Sequence, residues 1–295
     1  MELWPFVLTL CFGLAVAQAL IKRTFAQSNN VPASIPMFLS YLLGVVPVSI
    51  VVGLVVPHSI TWNRSSVILL VVEGVFIALY SWFSYRAMKL LPAALFQTIF
   101  QLSNVIVILL GWTLLHEKLS TLQVGGTVLL LCAGLLAIWA PTKAHKQGLG
   151  KHPDFRLGVI LTLLSAVTMG IGLVAEKAAL NYMDIGAYFI YGFGMQLVFQ
   201  AIIAYPDLQR VGLKKISKET YRQSVIIGLL SVAIGCTYIY ALNAANNISL
   251  VTALKAFVLP LTAIAAHKIL KEHDDDRLLW TAIAIAVAGL ILIAL

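Results

Sequence analysis

Apolar runs of about twenty residues recur along the whole chain, separated by short polar breaks. A run of that length matches the thickness of hydrocarbon that a helix must cross in a bilayer. The pattern predicts ten spans, at 4–24, 35–56, 66–86, 92–114, 120–140, 157–180, 186–205, 223–243, 249–270 and 277–295. The two longest polar connections are PTKAHKQGLGKHPDFR at 141–156 and PDLQRVGLKKISKETYR at 206–222. The first divides the chain almost in half. It marks a first five-helix repeat over 1–140, a basic cytoplasmic linker over 141–156 and a second five-helix repeat over 157–295.

The halves resemble each other. Ile21-Lys22 at the end of span one matches Glu176-Lys177 at the end of span six, and Glu117 after span four matches Glu272 after span nine, both at an offset of 155. Cys132-Ala133-Gly134 in span five answers Val287-Ala288-Gly289 in span ten. AMKLLPAALFQTIF from Ala87 falls on AANNISLVTALKAF from Ala244 at an offset of 157, so a small indel intervenes. Five spans per half is an odd number, so two similar halves must lie in the membrane with opposite orientation. The expected fold is an all-α integral membrane protein of ten transmembrane helices, arranged as two inverted five-helix repeats. Such repeats place a solute site near the midplane between them.

Composition agrees. Of 295 residues, 60% are hydrophobic and 11% charged, against about 25% charged in soluble domains, and the mean hydropathy is +0.94. The net charge of +8 does not argue for nucleic acid, because the basic residues sit in short loops, where they set topology and touch anionic headgroups. The first run follows Glu2 without a basic leader or a small-residue cleavage site, and reads as a span. Cys11, Cys132 and Cys236 all lie inside apolar runs with no paired spacing, so neither a disulfide framework nor a metal site is expected. Asp274-Asp275-Asp276 has no second acidic cluster to complete a metal site and reads as a solvated loop capping the last helix. P-loop, HExxH, GxSxG and CxxC patterns are absent, which argues against ATP drive on this chain and against an enzyme. No cofactor is expected.

Over essentially the whole chain, the sequence resembles EamA-type transporters of the drug/metabolite transporter superfamily. The resemblance is carried by RAMKLLPAALFQTIFQLSNVIVILLGWTLLHEKLS and LQVGGTVLLLCAGLLAIW, including a Pro-Ala-Ala stretch, a long helix and a Leu-Gly-Trp…Glu-Lys-Leu-Ser ending between Pro92 and Ser120. The second half keeps Pro260 and Glu272 but has Lys268-Ile269 where the first has Gly-Trp. The resemblance implies a ten-span transporter, export of amino-acid-like metabolites or drugs, proton coupling or exchange, and cytoplasmic termini. The charges imply the reverse orientation. Loops after odd spans hold sixteen of the twenty Lys and Arg residues, whereas those after even spans hold only Arg64, Lys118 and Lys177. The positive-inside rule then places the odd loops in the cytoplasm and both termini outside a plasma (inner) membrane.

Polar residues inside the spans mark the candidate site. Lys255 lies about six residues into span nine, and a cation at membrane depth costs about 2.5–3.5 kcal/mol on insertion scales. Glu73 lies at a similar depth in span three, on one stripe with Tyr80 and Ser84. The two spans run the same way, so Glu73 and Lys255 are expected to face one cavity and to pair. Glu73 reads either as a hydrogen-bonded structural carboxyl or as a site for a proton or a substrate cation, because a lone charge is costly there. Gln97, Gln101 and Asn104 share a face of span four, Thr252 joins Lys255 on span nine, Gln196 and Gln200 line span seven, and Gln18 lies on span one. Amides in spans often serve only as interhelical donors, but so many polar faces favour a shared cavity. Trp82, Tyr85, Tyr238 and Tyr240 fit an interfacial aromatic belt or a stacking surface.

These features describe a secondary transporter of a small polar or amphipathic metabolite, working by alternating access, with lipid and protons as its other partners and a monomer or homodimer as its assembly. The alternative is a lipid-linked flippase or a non-transporting membrane partner subunit. A flippase needs a cavity open sideways to lipid.

Overall fold

In a bilayer every backbone polar group must be satisfied within the chain, and helices do this locally. The apolar runs are accordingly helical in the computed structural model, which describes residues 4–28, 31–114, 120–146, 155–245, 258–270 and 277–294. The helices are α1 Trp4–Ser28, α2 Ser34–Val55, α3 Arg64–Leu90, α4 Ala93–Leu114, α5 Thr121–Lys146, α6 Phe155–Ala179, α7 Ile185–Val211, α8 Lys218–Ala245, α9 Val258–Ala265 and α10 Arg277–Ala294. Among the described residues seven of them, α1–α4 and α6–α8, are long and apolar enough to cross a membrane. In α5 and α10 the apolar stretches among the described residues are Thr121–Leu136 and Trp280–Ile293. The chain is thus an all-helical, multi-pass membrane protein. Thr252, Lys255 and the Asp274–Asp276 run lie outside the described residues.

Helix ends depart from the apolar windows because windows register hydrocarbon, whereas backbone hydrogen bonds persist beyond it. Thus α5 continues to Lys146, six residues into the expected linker. Helix α7 runs through Pro206 to Val211 and stops at Gly212, whose φ of 77° suits glycine. At the start of α3, Asn63 accepts from the Ser66 backbone N–H at 2.8 Å while its own N–H donates to Ser66 Oγ at 3.1 Å, a reciprocal cap.

Two helices are irregular inside. Before Pro47, α2 widens into a π turn over Tyr41–Val45, in keeping with a proline that cannot donate its backbone hydrogen bond. Helix α4 breaks at Gln101, between segments Ala93–Phe100 and Leu102–Leu114. A further π turn, Ala266–Leu270, continues α9.

The largest interfaces join α3 to α6, α5 to α10 and α1 to α8, so they run between the two halves of the chain. Contact positions give their directions. Ser34 Oγ donates to Asp207, the Gly186 N–H donates to Pro57 O at 3.1 Å, and Ile60 bridges Met183 antiparallel. Numbers fall on one helix as they rise on the other, so α2 and α7 are antiparallel. By the same test α1 and α8 are antiparallel, with Cys11 donating to Ile234 O and Gln18 to Ile227 O, and so are α3 and α6, where Ile77 meets Gly172 and Leu91 meets Gly158. At the α5–α10 crossing a Cβ on Gly126 would lie 2.3 Å from Gly289 O, and one on Gly289 would lie 2.7 Å from Gly126 O. Only paired glycines allow backbones this close.

Candidate functional site

Among these helices lies a cavity of about 240 Å³, walled by α1, α2, α3, α4, α6, α7 and α8, with Val258 of α9 at its edge. On α3 its wall runs from Ile77, at the helix middle, to Met88. Of the residues picked out from sequence, Gln18, Tyr80, Gln97, Gln101, Asn104, Gln196 and Tyr238 all face it. Glu73 and Gln200 do not form its wall; both are fully buried behind it.

Glu73 is reached through Gln196. Its Oε1 accepts from Tyr188 Oη at 2.9 Å and from Gln196 Nε2, both on α7. Its Oε2 is buried and has no hydrogen-bond partner among the described residues. Among the described residues the carboxyl is therefore held at Oε1 alone, by neutral donors, one side chain away from the cavity. The expected pairing with Lys255 falls on an undescribed residue, and the described partners of Glu73 are Tyr188 and Gln196. Sequence periodicity on α3 could not reveal them, since both come from a helix more than a hundred positions away.

The break in α4 gathers two of the expected amides. Asn104 N–H donates to Gln101 O at 3.0 Å, and Asn104 Nδ2 donates to Gln101 Oε1 at 2.6 Å. Each amide satisfies part of the other, which leaves the rest of their donors and acceptors turned to the cavity. Across it, Gln18 Nε2 donates to Ser231 Oγ at 2.5 Å and ties α1 to α8. One wall is aromatic: Phe96 stacks on Phe100 at 5.5 Å, and Phe100 stacks on Tyr80 at 5.5 Å. The phenylalanines escaped the sequence reading because they look like ordinary core.

Several expectations need correction. Lys22 and Arg23 are not loop residues, because α1 continues past them to Ser28. Lys22 lines the cavity with its ammonium over the Tyr85 ring at 5.6 Å, and buried Arg23 donates to Met88 O. The signal was available: Ala15, Gln18, Ala19 and Lys22 share one helix face. Glu176, which its position beside a span end makes look interfacial, also lines the cavity. The α3–α6 register that sets Ile77 on Gly172 carries Glu176 to the level of Glu73. Tyr85 at 3% and Tyr238 at 5% exposed are buried and cannot serve in an interfacial belt, whereas Tyr240 is 47% exposed. Half-buried Trp82 packs under the Arg86 guanidinium, 5.1 Å from its ring.

At one end of the bundle, outside the membrane spans, the α2–α3 and α6–α7 loops interlock. Asp184 accepts from the Ser59 backbone N–H at 3.1 Å and from its hydroxyl, and these bonds hold the Asp184 carboxyl below the usual carboxylate range. Among the described residues no cluster of His, Cys, Asp and Glu could hold a metal ion.

Residues 3–139 match the EamA-like transporter family. One solved crystal structure shares the fold with a TM-score of 0.64, covering 97% of this chain and 95% of its own at 20% identity. No curated protein matches the chain in sequence.

Proposed function

From a chain whose residues 3–139 match the EamA-like transporter family, we propose a secondary transporter that carries a small polar or amphipathic metabolite by alternating access. The observation that carries this reading is the cavity itself. Seven polar side chains foreseen from sequence meet in one cavity, among helices whose outer faces are apolar. A volume of about 240 Å³ falls below the range of drug-sized sites, about 300–1,000 Å³, and favours a solute of amino-acid size.

The packing supports ten spans in two inverted repeats. Helices α2 and α7 occupy matching places in the two halves and are antiparallel, as inversion requires. The α3–α6 and α1–α8 contacts answer each other under the same exchange of halves. In the alternating-access cycle the repeats rock about the cavity, exposing it first to one side and then to the other. The solute lies against the amides of α4 and the Tyr80–Phe100 wall. Glu73 carries the coupling proton: protonation at Oε2, unbonded among the described residues, neutralises the buried carboxyl while Tyr188 and Gln196 hold Oε1. The charge bias places the odd loops in the cytoplasm and the family resemblance suggests export.

The test is the purified protein in proteoliposomes, screened with labelled amino acids, purines and cationic drugs under a pH gradient. At least one soluble solute is expected to move, and flux of none would sink the transporter reading. Glu73→Gln should keep solute counterflow but lose accumulation driven by the gradient. Retained proton drive removes Glu73 from the coupling role.

A further inference from the structure

We propose that Lys22 and Tyr85 form the subsite that takes the anionic head of the solute, a carboxylate or phosphate. This rests on the cavity being the transport site. Three observations place the anion there rather than elsewhere on the wall. Lys22 is the only cationic side chain among the described residues that line the cavity. Its ammonium lies over the Tyr85 ring and makes neither a hydrogen bond nor an ion pair with any described residue. The Tyr85 hydroxyl is buried without a hydrogen-bond partner in good geometry among the described residues, and the neighbouring Ser40 hydroxyl donates its hydrogen to Met37 O at 2.7 Å. A cation at membrane depth whose described partner is a ring face has three donors to offer.

The surroundings leave that role to Lys22. The neighbouring cations are engaged elsewhere: Arg23 with Met88 O, Lys89 with Val31 O at 3.2 Å, and Arg86 with the Trp82 ring. Glu176 is the one acid among the described residues of the cavity wall. It stands at the level of Glu73, twelve positions along α3 from Tyr85, which is roughly 18 Å of helix. An oxyanion at Lys22 is thus bound by Nζ–H and the Tyr85 hydroxyl, well away from both carboxyls. Gln18, one turn before Lys22, and Gln97 lie where the polar body of the solute would follow. A neutral or purely cationic solute would leave the ammonium unmatched.

Two sources could supply such an oxyanion, a dissolved solute or a lipid headgroup, and the test separates them. The full chain is purified in a neutral maltoside, and melting temperature and Kd are measured with paired probes. The pairs are leucine with leucinamide, phenylalanine with phenylalaninamide, and glycerol 3-phosphate with glycerol; a further arm adds phosphatidylglycerol. At least one acid should bind tenfold or more tightly than its partner with an uncharged head group. Lys22→Gln should lose that preference, Lys22→Arg should keep it within threefold, and Tyr85→Phe should weaken acid binding several-fold. Equal binding of acid and partner, an unchanged preference in Lys22→Gln, no acid binding at all, or stabilisation by phosphatidylglycerol alone would each overturn the proposal. If Lys22→Gln does not fold, the acid-to-partner comparison on the unmodified protein and Lys22→Arg still decides. Acid binding that depends on Lys22 without flux in liposomes would fail the transport reading and leave the subsite standing. Flux of neutral or cationic solutes that Lys22→Gln does not alter would do the opposite.

Discussion

The carboxyl of Glu73 is buried, and that makes its two described donors unequal to ordinary surface hydrogen bonds. Tyr188 is itself 1% exposed, so Tyr188→Phe removes a donor from a buried acceptor without opening much space. Loss of a partner to a buried polar group costs about 1–3 kcal/mol. At about 2–4 °C per kcal/mol in chains of 150–250 residues, the melting temperature should fall by several degrees, and Glu73→Gln combined with Tyr188→Phe should cost less than the sum of the two. Strict additivity in that cycle would remove the bond from the account. Asp184 gives a prediction in pH. Its native carboxyl is held lower than in the unfolded chain by Ser59, so its contribution is present above the unfolded carboxylate range. It is lost as pH falls through the lowered native value. Wild type should therefore melt above Asp184→Asn at neutral pH, and the gap should close on acidification. A gap independent of pH would contradict the assignment. At this scale the sequence revealed which polar residues lie in the spans, because polarity in an apolar run is conspicuous. It could not reveal that Tyr188 holds Glu73, since that depends on which helices meet.

The helices themselves were legible because each has to present a long apolar surface to lipid. Their irregularities were less so. Pro47 announces the disturbed α2, whereas nothing local to Gln101 marks the break in α4; an amide pair facing a cavity is the compensation visible there. The α5–α10 crossing offers a matched pair of substitutions. A Cβ at Gly126 would lie 2.3 Å from Gly289 O, but at Gly125 nothing lies within 4 Å. Gly126→Ala should therefore cost about 1–3 kcal/mol through overpacking, read as a lower melting temperature. Gly125→Ala should be neutral or slightly stabilising, because alanine is the better helix former by about 1 kcal/mol. Similar melting of the two variants would mean that α5 and α10 do not meet at these glycines.

For the whole molecule, orientation rests on the basic loops. Lys22 and Arg23 face neighbouring helices from within α1 and so do not count towards the loop bias; fourteen of the sixteen remain, at helix ends or beyond them, against three on the other side. A reporter fused after Leu295 should then be active only outside the cytoplasm; cytoplasmic activity would reverse the assignment. The likeness of the two halves was visible in matched residues, while their interleaving was not, since internal similarity says nothing about which mate packs where. That interleaving has a consequence for how the protein is made. Tyr188 follows Glu73 by 115 residues, and ribosomes add about 5–20 residues per second. For roughly 6–23 s after its synthesis, the Glu73 carboxyl therefore waits in the nascent chain without the two groups that later hold it. A ribosome-stalled chain ending before α7 should be a substrate for membrane quality control, and the same chain carrying Glu73→Leu should persist longer. Half of this protein, released alone, is an unfinished molecule rather than a domain.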